Sequence, residues 1–159
     1  MTAREAAIFR ELARAVFATQ NALLRHGDMV NSPFGQTSAR WRVMLHISQG
    51  NGSVAGIARA TGYSRQAVQR LADALVADDL AAYAPDQADR RKQVVSFNDT
   101  GQATFAAMEG SFDSWSKRLV GALSIETLTD TIALLDAIKQ VVEQDYEQIK
   151  ARRKTNDRG

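Results

Sequence analysis

Apolar residues recur three or four apart along most of this chain, and only two short stretches break that rhythm. From Glu5 to about Met29, the residues Ile8, Leu12, Val16, Phe17, Leu23 and Leu24 follow the period of an amphipathic helix. The pattern predicts that this helix runs out in a loop over residues 27–35, where Gly27, Pro33 and Gly35 act as breakers. Thr37 or Ser38 can cap a second helix carrying Trp41, Met44, Leu45 and Ile47, ending at Gly50-Asn51-Gly52. Ser53 opens a short third helix with Ile57, Ala58 and Ala60, stopped by Thr61-Gly62, and Ser64 opens a fourth with the stripe Val68, Leu71 and Leu75. Leu80 to Ala84 and Gln93 to Phe97 have strand character, and the charged stretch between them predicts a hairpin with an extended tip. After Asn98-Asp99, a fifth helix shows Phe105, Met108, Phe112, Trp115 and Leu119. Gly121 and Ser124 break the pattern, and a last helix carries Leu128, Ile132, Leu135, Ile138, Val142, Tyr146 and Ile149 before a polar tail from Arg152. With no repeat and no low-complexity linker, the expectation is a single domain over residues 1–159, mainly α with a small β wing.

Composition narrows the chemistry. A chain of 159 residues without cysteine has no disulfide, no thiolate metal site, no cysteine nucleophile and no thiol switch. Its imidazoles are His26 and His46, in different elements, so no metal site and no cofactor are expected. No apolar run approaches the roughly 20 residues that span a bilayer, and Arg4, Glu5, Arg10 and Glu11 stand where a signal peptide needs an apolar stretch. The expected compartment is the cytoplasm, with no membrane partner. The formal net charge of +2 hides a segregation: residues 36–98 are net +3, residues 99–150 net −5, and residues 151–159 net +3. A basic middle beside an acidic helical region suggests one surface for an anionic partner and another kept away from it.

The segment Val54 to Leu71 has the grammar of a helix-turn-helix: Ala58 is small where two helices cross, and Gly62 suits a tight turn with positive φ. If Val68, Leu71 and Leu75 face inward, then Arg65, Gln66, Gln69, Arg70 and Asp73 occupy the opposite arc. Arginine can bond guanine O6 and N7 in bidentate fashion, and glutamine can do the same to adenine N6 and N7. Ser64, at a helix N-terminus with free N–H groups, is placed to bind a phosphate, and Ser53 at the start of the preceding helix joins the candidate DNA contacts. The hairpin adds Arg90, Arg91 and Lys92 at the end of a ribbon, where an arginine could enter a narrow minor groove. Asp89 would repel a phosphate, so its expected role is to orient Arg91 through an ion pair. The same face could also be an ordinary solvated surface.

From Gln36 to Gly101 the chain resembles the winged-helix core of the MarR family of transcription regulators. The resemblance rests on Thr37 and Trp41, on Gly62-Tyr63-Ser64-Arg65-Gln66, on Leu71, Asp73 and Leu75, and on Asp89-Arg90-Arg91 followed by Val94-Val95-Ser96-Phe97 and Gly101. There are departures. Asp79 stands where the family has glycine to end the recognition helix, Phe97-Asn98 replaces Leu-Thr, and Gly56 sits inside the third helix, loosening it by up to about 1 kcal/mol relative to alanine.

The resemblance implies a homodimeric DNA-binding regulator, a repressor bound to a pseudo-palindromic double-stranded operator. Residues 36–98 would form the winged helix-turn-helix lobe, residues 1–35 and 99–150 the dimerisation helices, and 151–159 a polar basic tail. The apolar stripes agree, since the long terminal helices carry more large apolar residues than a monomer of this size easily covers. Recognition helices would lie about 34 Å apart. The resemblance also implies a small, aromatic or phenolic effector. Trp41, His46, Phe112 and Trp115 could line its pocket, with Arg40 or His26 as a polar anchor, although aromatic residues at helical spacing equally form core. A protein–protein adaptor built on the same winged helix is the rival. An enzyme is not expected, because the chain has no clustered catalytic set, no phosphate-cradling glycine loop and no Gly-x-Ser-x-Gly turn.

Overall fold

The computed structural model describes residues 2–86, 90 and 93–156, with side chains as far as Arg153. Helix α1 spans Ala3–Asn31, and a single 3-10 turn, Ser32–Phe34, leads through Gly35 to α2, Ser38–Ser48. Then come α3, Val54–Thr61, and α4, Arg65–Ala77; strands β1, Ala81–Pro85, and β2, Gln93–Phe97; and helices α5, Asp99–Val120, and α6, Ile125–Asn156. The result is the mainly α fold with a two-stranded antiparallel wing that the hydrophobic pattern predicts. The chain forms two compact units, Met1–Trp115 and Ser116–Gly159.

Within the first unit the core is the inward face of the middle helices: Val43, Met44 and Ile47 of α2, Ile57 and Ala58 of α3, and Val68, Ala72 and Leu75 of α4. Leu80, Ala81 and Val95 at the root of the wing, with Phe105 and Met108 of α5, close it. Met44 and Met108 are fully buried, as suits an unbranched side chain that fills an irregular gap. Ser and Thr residues cap the helices by accepting from the first free N–H groups: Thr37 from Arg40, Ser53 from Gly56, Ser64 from Ala67.

Three boundaries and the role of one glycine differ from the sequence expectation. The segment 27–31 is not loop but the last turn of α1. Its weak helix propensity is overridden by α2, whose Ser38 N–H donates to Asp28 Oδ1 at 2.7 Å and whose Ser38 hydroxyl donates to the Leu24 carbonyl at 2.8 Å. Gly27 permits that approach, because a Cβ there would lie 2.5 Å from Ser38 Oγ. The first strand begins one residue late, at Ala81, since Leu80 turns into the core and its carbonyl accepts from Asn98 N–H. Gly56 does not simply loosen α3: the room a side chain would take is filled by Asn51 and by the capping Ser53, whose Oγ would be 2.6 Å from a Cβ. Helix α6 runs on through Arg152 to Asn156, with no breaker to stop it.

Asp79, read from the sequence as a poor substitute for glycine, does take the left-handed conformation at φ 55°. Asn98 Nδ2 donates to its carbonyl at 2.9 Å and to its Oδ1 at 3.2 Å, which offsets part of the strain. In the second unit, Ser124 Oγ accepts from Thr127 N–H at the start of α6. None of the described side chains of α6 is buried, and Ile132, Val142 and Tyr146 are each at least half exposed. Among the described residues no helix is long and apolar enough to cross a membrane.

Candidate nucleic-acid interface

The helix-turn-helix is fastened from behind by a residue that the sequence pattern passed over. Arg42 of α2 donates through Nη2 to the Thr61 carbonyl at 3.0 Å and through Nη1 to the Tyr63 hydroxyl at 3.1 Å. Its guanidinium also lies 4.8 Å from the centre of the Tyr63 ring, a cation–π distance. These contacts grip the turn on both sides of Gly62, which caps α3 at φ 75°. A second arginine, Arg40, joins α2 to the end of α4 by donating to Asp78 Oδ2 at 2.6 Å and to the Ala74 carbonyl at 3.1 Å. Helix α4 is therefore held through the turn that precedes it and at its last turn.

Arg65, Gln66, Gln69, Arg70 and Asp73 are all exposed along one face of α4, while Val68, Ala72 and Leu75 are buried on the other. Ser64 stands at the N-terminus of this helix as its cap. Ser53, the cap of α3, lines a cleft of about 450 Å³ between the α2–α3 turn and the wing, together with Asn51, Pro85, Asp86, Val94 and Ser96. That cleft brings Ser53 beside the base of the wing. At the wing tip Arg90 is exposed, and Asp89, Arg91 and Lys92 lie outside the described residues.

The wing is tied to α4 through a cluster that no local pattern announced. Tyr83 of β1 donates its hydroxyl to Asp73 Oδ1 at 2.5 Å, and Gln69 Nε2 lies 2.9 Å from the same Oδ1 and 2.6 Å from the Tyr83 oxygen. The available signal was the i, i+4 spacing of Gln69 and Asp73, which puts an amide and a carboxylate within reach on a helix. What it lacked was the path of the chain that brings Tyr83 of β1 alongside this face of α4. The hydrogen bonds from Tyr83 and Gln69 hold the Asp73 carboxyl below its ordinary value. Burial, and then the hydrogen bond to Asp73, pushes the Tyr83 phenol up to about 12.

These shifts set opposite pH limits. The Asp73 contribution is present above the ordinary carboxylate pKa and is lost as pH falls through its lowered value. The Tyr83 contribution is complete below the unfolded tyrosine pKa of about 10 and is lost as pH rises through the folded one. Ultraviolet titration of the tyrosinates should therefore contain a step near pH 12 that disappears in Tyr83→Phe and moves partway down in Asp73→Ala. A tyrosinate profile unchanged by Tyr83→Phe in that range would rule the cluster out.

The candidate effector residues separate into two groups. His26 of α1 stacks on Trp115 of α5 with ring centres 4.6 Å apart, Trp115 meets Phe112 edge-on at 5.1 Å, and Phe112 stacks on Trp41 of α2 at 5.4 Å. Trp41 Nε1 donates to Glu109 Oε1 at 2.8 Å, so this row of four rings ends on a carboxylate. Arg40 is engaged elsewhere, with Asp78, and His46 sits half-buried on α2, where its carbonyl accepts from Asn51 N–H. Among the described residues no group of three or more His, Asp or Glu side chains could hold a metal ion.

Comparison with known proteins places this architecture. The MarR family model matches residues 34–92, from the 3-10 turn to the wing. Over 124 residues the chain is 30% identical to protein Rv2011c of Mycobacterium tuberculosis, covering 76% of this chain and 87% of that one. A MarR/EmrR family transcriptional regulator from Acinetobacter sp. ADP1 superposes with a TM-score of 0.77 at 19% identity, covering 86% of this chain and 98% of its own. The transcriptional repressor CouR bound to a 23-mer DNA duplex gives 0.71 at 23% identity over 80% of this chain and 91% of its own. CouR from Rhodococcus jostii RHA1 bound to p-coumaroyl-CoA gives 0.72 at 15% identity, with 80% and 90% covered.

Proposed function

Because this chain belongs to the MarR family of transcriptional regulators, we propose that it acts as a homodimeric repressor of a pseudo-palindromic operator and is released by a small aromatic or phenolic ligand. The observation that carries the reading is the exposed Arg65, Gln66, Gln69 and Arg70 face of α4, joined by Tyr83 to a wing on which Arg90 is exposed, in a sequence that continues Arg91-Lys92. On such a face Gln66 and Gln69 read base edges, Arg65 and Arg70 engage base edges and the neighbouring phosphates, and Ser53, Ser64 and the wing cations Arg90, Arg91 and Lys92 engage the backbone or the minor groove. The lobe of residues 36–98 meets the DNA, and residues 1–35 and 99–150 pair the two copies.

Support for the pairing comes from apolar side chains with no cover in the single chain: Phe9, Phe17 and Leu23 on α1, and Ile132, Val142 and Tyr146 on α6, each at least half exposed. An apolar surface of that extent is uncommon on a soluble monomer. For the effector, the row His26, Trp115, Phe112 and Trp41 offers aromatic faces with a carboxylate at one end. CouR, with its coumaroyl ligand, is the relative that makes an aromatic effector the first class to screen.

The test is selection of bound duplexes from a randomised pool by the purified protein, followed by titration of the enriched duplex against a scrambled one. Enrichment of an inverted repeat whose half-sites lie one helical turn apart is expected, with binding at least about 10³-fold tighter than to the scrambled duplex. If no sequence is enriched and both duplexes bind alike at every salt concentration, the winged helix serves instead as a protein–protein adaptor.

A further inference from the structure

Gln69 does not point an indifferent amide at its surroundings. A free glutamine can turn its amide over and offer either oxygen or nitrogen, so it suits any base edge. Here Nε2 is held 2.9 Å from Asp73 Oδ1 and 2.6 Å from the Tyr83 oxygen. An ionised carboxylate only accepts, and turning the amide over would set Gln69 Oε1 against Asp73 Oδ1, oxygen against oxygen. The Tyr83 proton cannot relieve that clash, because it is already given to the same Oδ1 at 2.5 Å. Lowering of the Asp73 pKa keeps the carboxylate in its acceptor-only form at neutral pH. The outcome is an amide of fixed polarity on an exposed face, with its nitrogen inward and its Oε1 accepting nothing from the described residues.

From this geometry we infer that Asp73 and Tyr83 are positioning residues that make Gln69 a reader of exocyclic amino groups through its Oε1. The inference rests on the DNA-reading function proposed above and specifies its chemistry at one base pair. In the major groove an amino group is adenine N6 or cytosine N4, whereas guanine O6 and thymine O4 are acceptors. Every base pair carries one of each, so the clamp selects the orientation of the pair: adenine or cytosine on the strand facing Gln69, guanine or thymine on the other. A guanine or thymine on the near strand would present oxygen to oxygen. Adenine and cytosine are both accepted, which gives a two-base degeneracy at that position.

The same randomised pool supplies the experiment. The position read by Gln69 is the one whose preference disappears in Gln69→Ala, and at that position the four base pairs are then compared in otherwise identical duplexes. Wild-type protein should bind the two duplexes with adenine or cytosine on the near strand roughly fivefold or more tightly than the other two, the low end of what a good base contact discriminates. In Asp73→Asn, whose amide can accept or donate, the ratio should fall to within about twofold, while preferences at all other positions persist. Overall affinity rises uniformly with the loss of a negative charge, and a merely structural role would not single out one base pair. Tyr83→Phe keeps Asp73 and should give an intermediate ratio. It also decides the matter if circular dichroism shows Asp73→Asn unfolded. A wild-type preference for guanine or thymine on the near strand, or an unchanged ratio in the variants, overturns the inference while leaving DNA binding intact. A pool from which wild type enriches nothing removes the DNA-reading function, and the inference with it.

Discussion

Replacing Gly101 by alanine is expected to destabilise the first unit by about 3 kcal/mol or more, the upper end for forcing atoms into a packed site. Gly101 is buried in the first turn of α5, and a Cβ at this position would fall on the Leu80 carbonyl, with the Phe97 ring 3.0 Å away. Neither neighbour can yield. The Leu80 carbonyl is backbone, it accepts from Asn98 N–H, and Leu80 itself is anchored in the core. Phe97 stacks on the buried Phe105 at 5.6 Å. Gly101 N–H also donates to the capping Asn98 Oδ1 at 2.8 Å, so shifting α5 away would break that cap as well as the contact between helix and wing root. Urea unfolding followed by circular dichroism measures the effect. A loss below about 1 kcal/mol, ordinary for an average substitution, would mean that α5 does not pass the wing as closely as described.

Raising salt from about 50 mM to about 200 mM should weaken binding of the proposed dimer to its selected duplex by roughly 10³–10⁵-fold, the range for a protein with six to ten phosphate contacts. Each copy presents Arg65 and Arg70 on α4 and the cations Arg90, Arg91 and Lys92 in its wing, which doubled are enough for that number. Arg65 and Arg70 are exposed and have no carboxylate partner in an ion pair among the described residues, so their charge is available to phosphates. Arg40 and Arg42 are not available, being committed to Asp78 and to Thr61 and Tyr63. Arg70→Ala removes one cation from each copy and should reduce the slope of log K against log salt by about 2 if Arg70 meets a phosphate. Fluorescence anisotropy across a salt series decides this, and a wild-type slope shallower than about −2 would be incompatible with the interface.

The legible part of this fold is local. Leucine, valine and isoleucine at helical spacing, serine and threonine caps, and the Thr61-Gly62 turn place α2, α3 and α4 within a residue or two of where they lie. The strand character of residues 93–97 and the charged stretch before them likewise mark the wing. The split of α4 into a buried face and a face of Arg65, Gln66, Gln69, Arg70 and Asp73 follows from 3.6 residues per turn. Misjudged boundaries occur where a distant segment outweighs local propensity, as when Ser38 holds the last turn of α1 in a helix across Gly27.

What the amino-acid order determined by itself was periodicity and charge: an all-helical frame, one hairpin, a cationic wing, and a polar helix face beside it. The tertiary structure decided which of those polar groups are free. Arg40 and Asp78 are 38 positions apart, Trp41 and Glu109 are 68, and Gln69 and Tyr83 are 14, so none of these pairs leaves a trace in any helical or strand period. Hydrogen bonds act over about 3 Å, and only the path of the chain brings such residues within that reach. The path therefore turned two arginines into struts, four aromatic residues into one contiguous row, and Gln69 from an ambidextrous amide into one with a fixed acceptor.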